Sequence, residues 1–155
     1  MNSSITIEQA LRAKGHGYFA VPPNTTAYEA LEFMAEKNIG ALLVVEDGRL
    51  TGVFSERDYA RKVILKGKSS KSTTVGELMS RPPICGCPEL TIRDCMALMT
   101  DHHIRHLPIM EQGTIVGLVS LGDVVKAVVS ELDSTVQTLE SYVTGNDYRA
   151  RLYCP

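Results

Sequence analysis

The chain repeats itself. Residues 26–64 and 91–129 align without a gap at an offset of 65 residues. Thr26/Thr91, Met34/Met99, Ile39/Ile104, Leu42/Leu107, Gly48/Gly113, Gly52/Gly117, Ser55/Ser120 and Asp58/Asp123 coincide at that offset. A unit of about 60 residues buries too little surface to be more than marginal alone. Two copies packed face to face, related by a pseudo-twofold axis, hide the apolar sheet face of both, and clefts form where they meet.

Each copy carries the same local signals. Thr26 with Glu29, and Thr91 with Asp94, are capping boxes that open a helix. Leu31, Met34 and Ala35, then Cys95, Leu98 and Met99, continue it at helical spacing. Strands are expected over 42–46 and 107–111, and again over 50–54 and 115–119. Asp47-Gly48 and Gln112-Gly113 join each pair as tight hairpin turns. A second helix starts at Ser55 or Ser120. Ahead of the first copy, Thr6 with Gln9 opens a helix to about Lys14, Gly15-His16-Gly17 breaks it, and 18–21 reads as a strand. Ahead of the second, 75–79 reads as a short helix and Ile84 as a strand. The expected organisation is α/β (α+β): repeat 1 over 6–66, a polar linker over 67–74, repeat 2 over 75–132, and an extension over 133–155. In that extension Leu121, Val125, Val128, Leu132, Val136, Leu139 and Val143 recur at spacings of three and four. The expectation is core packing up to Leu132 and a homodimer contact from Val136 onward. The tail, 145–155, gives no readable pattern.

Bulk properties narrow the function classes. With 155 residues, 44% of them hydrophobic, and a net charge of −2, the chain has a core but no basic field to attract nucleic acid. No apolar run approaches the roughly 18 residues of a membrane span. The first residues lack a basic, then apolar, leader, and the expected location is the cytoplasm. Cys95 falls in the apolar helical pattern and is expected to be a core thiol, while Cys85 and Cys87 lie one residue closer than the usual metal pair.

The pattern with most chemistry in it is Gly-x-x-Ser-x-x-Asp, present at Gly52, Ser55 and Asp58 and at Gly117, Ser120 and Asp123. A serine before a helix and an acid in its first turn are good caps in any protein. The same geometry also points free N–H groups at a phosphate and gives a carboxylate that can accept two vicinal ribose hydroxyls. Arg57 sits in the first turn of the first of these helices, where a cation opposes the helix dipole, and Gly122 replaces it in the second.

The doubled unit, with Ile39 to Val45, Ile104 to Ile109 and both Gly-x-x-Ser-x-x-Asp segments, resembles a pair of cystathionine-β-synthase (CBS) domains, or Bateman module, of the stand-alone type. The likeness runs over about residues 6–132. It implies two β-α-β-β-α repeats and an adenosyl ligand: AMP first, with ADP, ATP, NAD(H) or S-adenosylmethionine as alternatives. It implies that Asp58 and Asp123 bind ribose and that Ser55 and Ser120 lie near ribose and phosphate. Arg105 and His106 would reach phosphate, with Ile104 beside them. Gly40 and Ala41 would leave room for a flat base, with Tyr18 and Phe19 as the apolar wall of one cleft and Ile84 of the other. One expected cleft joins Ser120 and Asp123 to 18–20 and 40–41. The other, and tighter, joins Ser55, Arg57 and Asp58 to Ile84 and 104–106.

The expected role is that of a nucleotide sensor acting on an unidentified protein partner, with no catalysis. No nucleophile–base pair with an orienting third residue stands out, and no phosphate-binding glycine loop of the familiar kinds occurs. Lys66, Lys68 and Lys71 read as a solvated run that a longer ligand would meet. His102, His103 and His106 cluster around Arg105, whose charge opposes a bound cation, and no metal is expected. The alternative is a dimeric scaffold whose clefts bind nothing.

Overall fold

The computed structural model describes residues 5–144, so the tail and its Cys154 fall outside it. Helix α1 (Ile7–Lys14) is followed by strand β1 (Ala20–Val21), helix α2 (Ala27–Lys37) and the hairpin β2 (Ala41–Glu46) and β3 (Arg49–Ser55). Helix α3 (Glu56–Tyr59) then widens into a π-helical turn, Ala60–Ile64. Helix α4 (Val75–Leu78), helix α5 (Ile92–Asp101), the hairpin β4 (His106–Glu111) and β5 (Thr114–Ser120), and helix α6 (Leu121–Thr144) complete the chain. This is a mixed α+β fold of two small sheets.

The local rules act as the sequence suggests. Thr6, Thr26, Thr74 and Thr91 each cap a helix in a reciprocal capping box. In both hairpins the two turn residues have positive φ, at Asp47 and Gly48 and at Gln112 and Gly113, which is the backbone a two-residue turn needs to follow strand twist. In the first sheet β1 pairs parallel to β2, and β2 antiparallel to β3. The second sheet keeps only β4 and β5, with a single parallel bridge from Gly86 to Ile109. Ile84 is thus not in a strand, contrary to the expectation. Its counterpart at the 65-residue offset, Phe19, also lies just outside β1, but the two differ in one hydrogen bond. In the first repeat the Leu43 N–H donates to the Phe19 carbonyl at 3.0 Å. Pro108 stands where Leu43 does, 65 residues on, and has no N–H to give Ile84.

The two cores do not follow the chain order. Ile7 and Leu11 of α1 are buried with Ile92, Cys95, Leu107 and Val124 of the second repeat. Val75 and Leu78 of α4 are buried with Met34, Leu42, Phe54 and Val63 of the first. Each repeat therefore borrows the short helix that precedes the other, and the unit expected over 6–66 does not pack by itself. The caps are tied in the same way: Thr6 bridges to Thr91 and Thr26 to Thr74, each antiparallel. The motif glycines make room for the borrowed pieces. A Cβ on Gly52 would stand 2.5 Å from the Met79 sulfur, and one on Gly117 would stand 2.9 Å from a Leu11 methyl.

Helix α6 corrects a second expectation. Its core face is Val124, with Ala127 and Val128 packed against the second core. Leu121, Val125 and Leu132, expected on that core, are 40%, 51% and 51% exposed and continue into the open row Val129, Val136, Leu139 and Val143. The doublets Val124-Val125 and Val128-Val129 supply both faces, so spacing alone cannot tell one stripe from the other.

Candidate functional site

The two repeats meet along a cleft of about 410 Å³, within the size range of small-molecule sites. From the first repeat come Ser55, Arg57, Asp58, Arg61 and Lys62; from the second come Ile104, Arg105 and His106. Ile84, Pro82 and Pro83 form an apolar side, and Gly40 lies at the seam, where His106 ring atoms are 3.8 Å from the position of a Gly40 Cβ.

Asp58 is the best-held group in the cleft. Its Oδ2 accepts from the Ser55 N–H at 3.0 Å and the Ser55 hydroxyl at 2.8 Å. Its Oδ1 accepts from the Ser80 hydroxyl at 3.2 Å and forms an ion pair with Lys62 at 2.8 Å. The four acceptor positions of the carboxylate are all filled. Lys62 also donates to the Leu78 carbonyl at 2.7 Å, which ties the cleft to α4. Arg57 reaches across the seam, and its Nη1 donates to the His103 carbonyl at 3.2 Å. His103 holds φ at 53°, left-handed backbone that turns this carbonyl out of the end of α5. His106 is kept uncharged to lower pH than an ordinary histidine, first by burial and then by Lys14, with Asp123 opposing.

The cleft expected around Asp123 does not come together as expected. Ser120 caps α6, donating through its N–H and its hydroxyl to Asp123 Oδ2 at 2.8 Å each. That same oxygen accepts from Lys14 at 2.6 Å, and Lys14 also donates to the Leu118 carbonyl at 2.9 Å. Burial pushes the Asp123 carboxyl up, but the Lys14 and Ser120 hydrogen bonds outweigh it and hold the carboxyl below its usual range. The groove beside Asp123 runs between α1 and α6 and is lined by Ala10, Ala13, Lys14 and Lys126, not by Tyr18 or Phe19. The Phe19 ring packs edge-on against Phe33 at 5.6 Å, with the Lys37 ammonium 6.0 Å from its centroid. Tyr18 is 38% exposed. Ala41 is buried, and Gly40 lines the Asp58 cleft. The aromatic partner of Phe19 thus lies within its own repeat.

Arg61, Lys62 and Ser80 escaped the reading of the sequence. Lys62 had a visible signal, since it lies one helical turn after Asp58 at the spacing of an ion pair. Ser80 had none, because it arrives with the borrowed helix α4. Among the described residues no group of three or more His, Cys, Asp or Glu is placed to hold a metal ion.

A model of the CBS domain matches residues 16–64 and again 75–130. The chain belongs to the CBS-domain family. It carries two CBS domains in tandem. The mitochondrial CBS domain-containing protein CBSX3 of Arabidopsis thaliana is 40% identical over 151 residues, covering 92% of this chain and 73% of that protein. A protein with CBS domains from Burkholderia ambifaria has the same fold, with a TM-score of 0.79 and 45% identity over 81% of this chain and 95% of that one. The CBS pair of protein MJ0100, solved in complex with 5′-methylthioadenosine and S-adenosyl-L-methionine, shares the fold at a TM-score of 0.73 and 21% identity, covering 82% of this chain and 98% of that one.

Proposed function

We propose that this CBS pair is a regulatory module that binds an adenosyl ligand in the Asp58 cleft and catalyses no reaction. The observation that carries this is the convergence, in one cleft, of a capped carboxylate from one repeat with a cationic strand end and an apolar wall from the other. The complex of the MJ0100 pair with two adenosyl compounds supports it by likeness of fold. The candidates are AMP, ADP, ATP, NAD(H) and S-adenosylmethionine. Asp58 takes the ribose hydroxyls. Because its acceptor positions are full, a ribose must displace Lys62 or Ser80. Lys62 yields more easily, being half exposed on a flexible stem, and is then free for a phosphate. Ile84 and the two prolines supply the face for adenine. In this reading the nucleotide site is the Asp58 cleft, because the groove beside Asp123 lacks the apolar wall of Tyr18 and Phe19.

Ligand binding joins the two repeats and shifts the population of states that a partner protein reads. A second copy lies along the open row of α6, Val125 to Val143. Replacing Val136 with Asp places a charge in that row, and sedimentation should then give monomers where the native chain gives dimers. A native chain that sediments as a monomer would refute the dimer. We place the protein in the cytoplasm, although the CBSX3 relative is named as mitochondrial; adenine nucleotides are present in both compartments. No helix of the described residues is long and apolar enough to cross a membrane.

Thermal unfolding in the presence of each candidate tests the reading. A compound that binds only the folded chain adds about 2.7 kcal/mol at a hundredfold excess over its Kd. For a chain of this size that raises Tm by roughly 5–10 °C. No shift with any of these compounds at millimolar concentration would leave the scaffold reading in its place.

A further inference from the structure

We propose that the Asp58 cleft selects ligands that carry a pyrophosphate, as ADP, ATP and NAD(H) do, over AMP and S-adenosylmethionine. This preference presupposes that the cleft is an adenosyl site, and it concerns the group attached to the ribose on the side away from the base.

The two repeats should give two equivalent clefts, yet their charges differ. At the 65-residue offset Arg57 is matched by Gly122, Lys62 by Ala127 and Arg105 by Gly40; only Arg61 keeps a cation, in Lys126. Four cations thus line the Asp58 cleft, facing the carboxylates of Glu56 and Asp58. Two of the four are already engaged, Lys62 with Asp58 and Arg57 with the His103 carbonyl. Arg61 and Arg105 are not: among the described residues neither has a carboxylate partner. They stand on opposite sides of the seam, Arg61 in the π-helical turn and Arg105 beside the start of β4. The wider turn gives the helix an extra residue at this point, a feature common at functional sites. A guanidinium matches one phosphate in bidentate fashion. Two guanidiniums without a carboxylate partner, lining one cleft from its two sides, therefore match two adjacent phosphates. A monophosphate satisfies one of them, and S-adenosylmethionine offers a single carboxylate on a tail that is net positive.

Titration calorimetry on the full chain with adenosine, AMP, ADP, ATP, NAD⁺, S-adenosylmethionine and inorganic pyrophosphate tests this. ADP should bind at least about tenfold more tightly than AMP. In the double variant Arg61→Ala/Arg105→Ala, both exposed positions, that ratio should fall to about threefold or less, because ADP loses two guanidinium contacts where AMP loses one, with Tm within about 2 °C of the native chain. Equal binding of AMP and ADP, or a preference that survives the double variant, overturns the inference and leaves the adenosyl site standing. Pyrophosphate binding as tightly as ADP keeps the phosphate preference and overturns the adenosyl reading. Silence from every compound overturns both. ADP and ATP binding above NAD⁺ supports selection of a terminal phosphate, and equal binding of the three supports selection of the shared pyrophosphate.

Discussion

Asp58→Ala should lose nucleotide affinity by tenfold or more, and Asp58→Asn should do nearly the same while staying well folded. Asp58 holds both a helix cap and, in our reading, the ribose. Hydrogen bonds to a charged group contribute about 1.5–3 kcal/mol each, and a single one of that size is worth roughly ten- to 150-fold in Kd. The cap is worth about 1 kcal/mol. Asparagine keeps a side-chain oxygen that can accept from the Ser55 N–H, so it separates the two roles. The alanine variant should lower Tm by about 2–4 °C, and the asparagine variant by less. Calorimetry alongside melting reads both. An asparagine variant with native affinity would remove Asp58 from the ribose site and leave it as a cap.

Leu11→Ala should be among the most damaging single substitutions in the chain. Leu11 is fully buried, and it lies where a Cβ on Gly117 would touch its methyl groups. Truncating a buried leucine costs about 2–5 kcal/mol, which for this length is roughly 5–20 °C in Tm. Arg12→Ala, one residue on, serves as the control, because Arg12 is 73% exposed in a surface ion pair with Glu8. Such pairs contribute about 1 kcal/mol at most. A Leu11→Ala melt no lower than that of Arg12→Ala would show that α1 is not part of the second core. The alanine variant should also expose Cys95 to thiol reagents as that core loosens, since Cys95 is buried in the same cluster and burial pushes its thiol up to about 11.

Much of this structure was legible because its signals are local. Four threonine caps, two hairpin turns and the helix periods are each settled within a few residues, and the structure repeats them. The repeat itself announced the family. What was not legible depends on partners distant in sequence. Nothing near α1 says that its Leu11 belongs against Gly117, and nothing near Met79 says that Gly52 makes room for it. The same holds for the site. The grouping of Ser55, Arg57 and Asp58 with Ile84 and 104–106 lay in the resemblance, and the structure puts those residues in one cleft. The partner of Asp123 is Lys14, which comes from the borrowed helix, and no spacing could have announced it. The resemblance sets Tyr18 and Phe19 across the seam, but for Phe19 the nearer apolar neighbour is Phe33.

The exchange of α1 and α4 also governs how the chain is made. A ribosome delivers the N-terminus first, at about 5–20 residues per second. The first repeat must then wait for Val75 and Leu78 before its core closes, although its own hairpin ends at Ser55. Ile7 and Leu11 wait far longer, until Val119 and Val124 have been added. Until then the chain carries an amphipathic helix whose apolar face has nowhere to go, and a chaperone that binds such segments has its target in Ile7–Lys14.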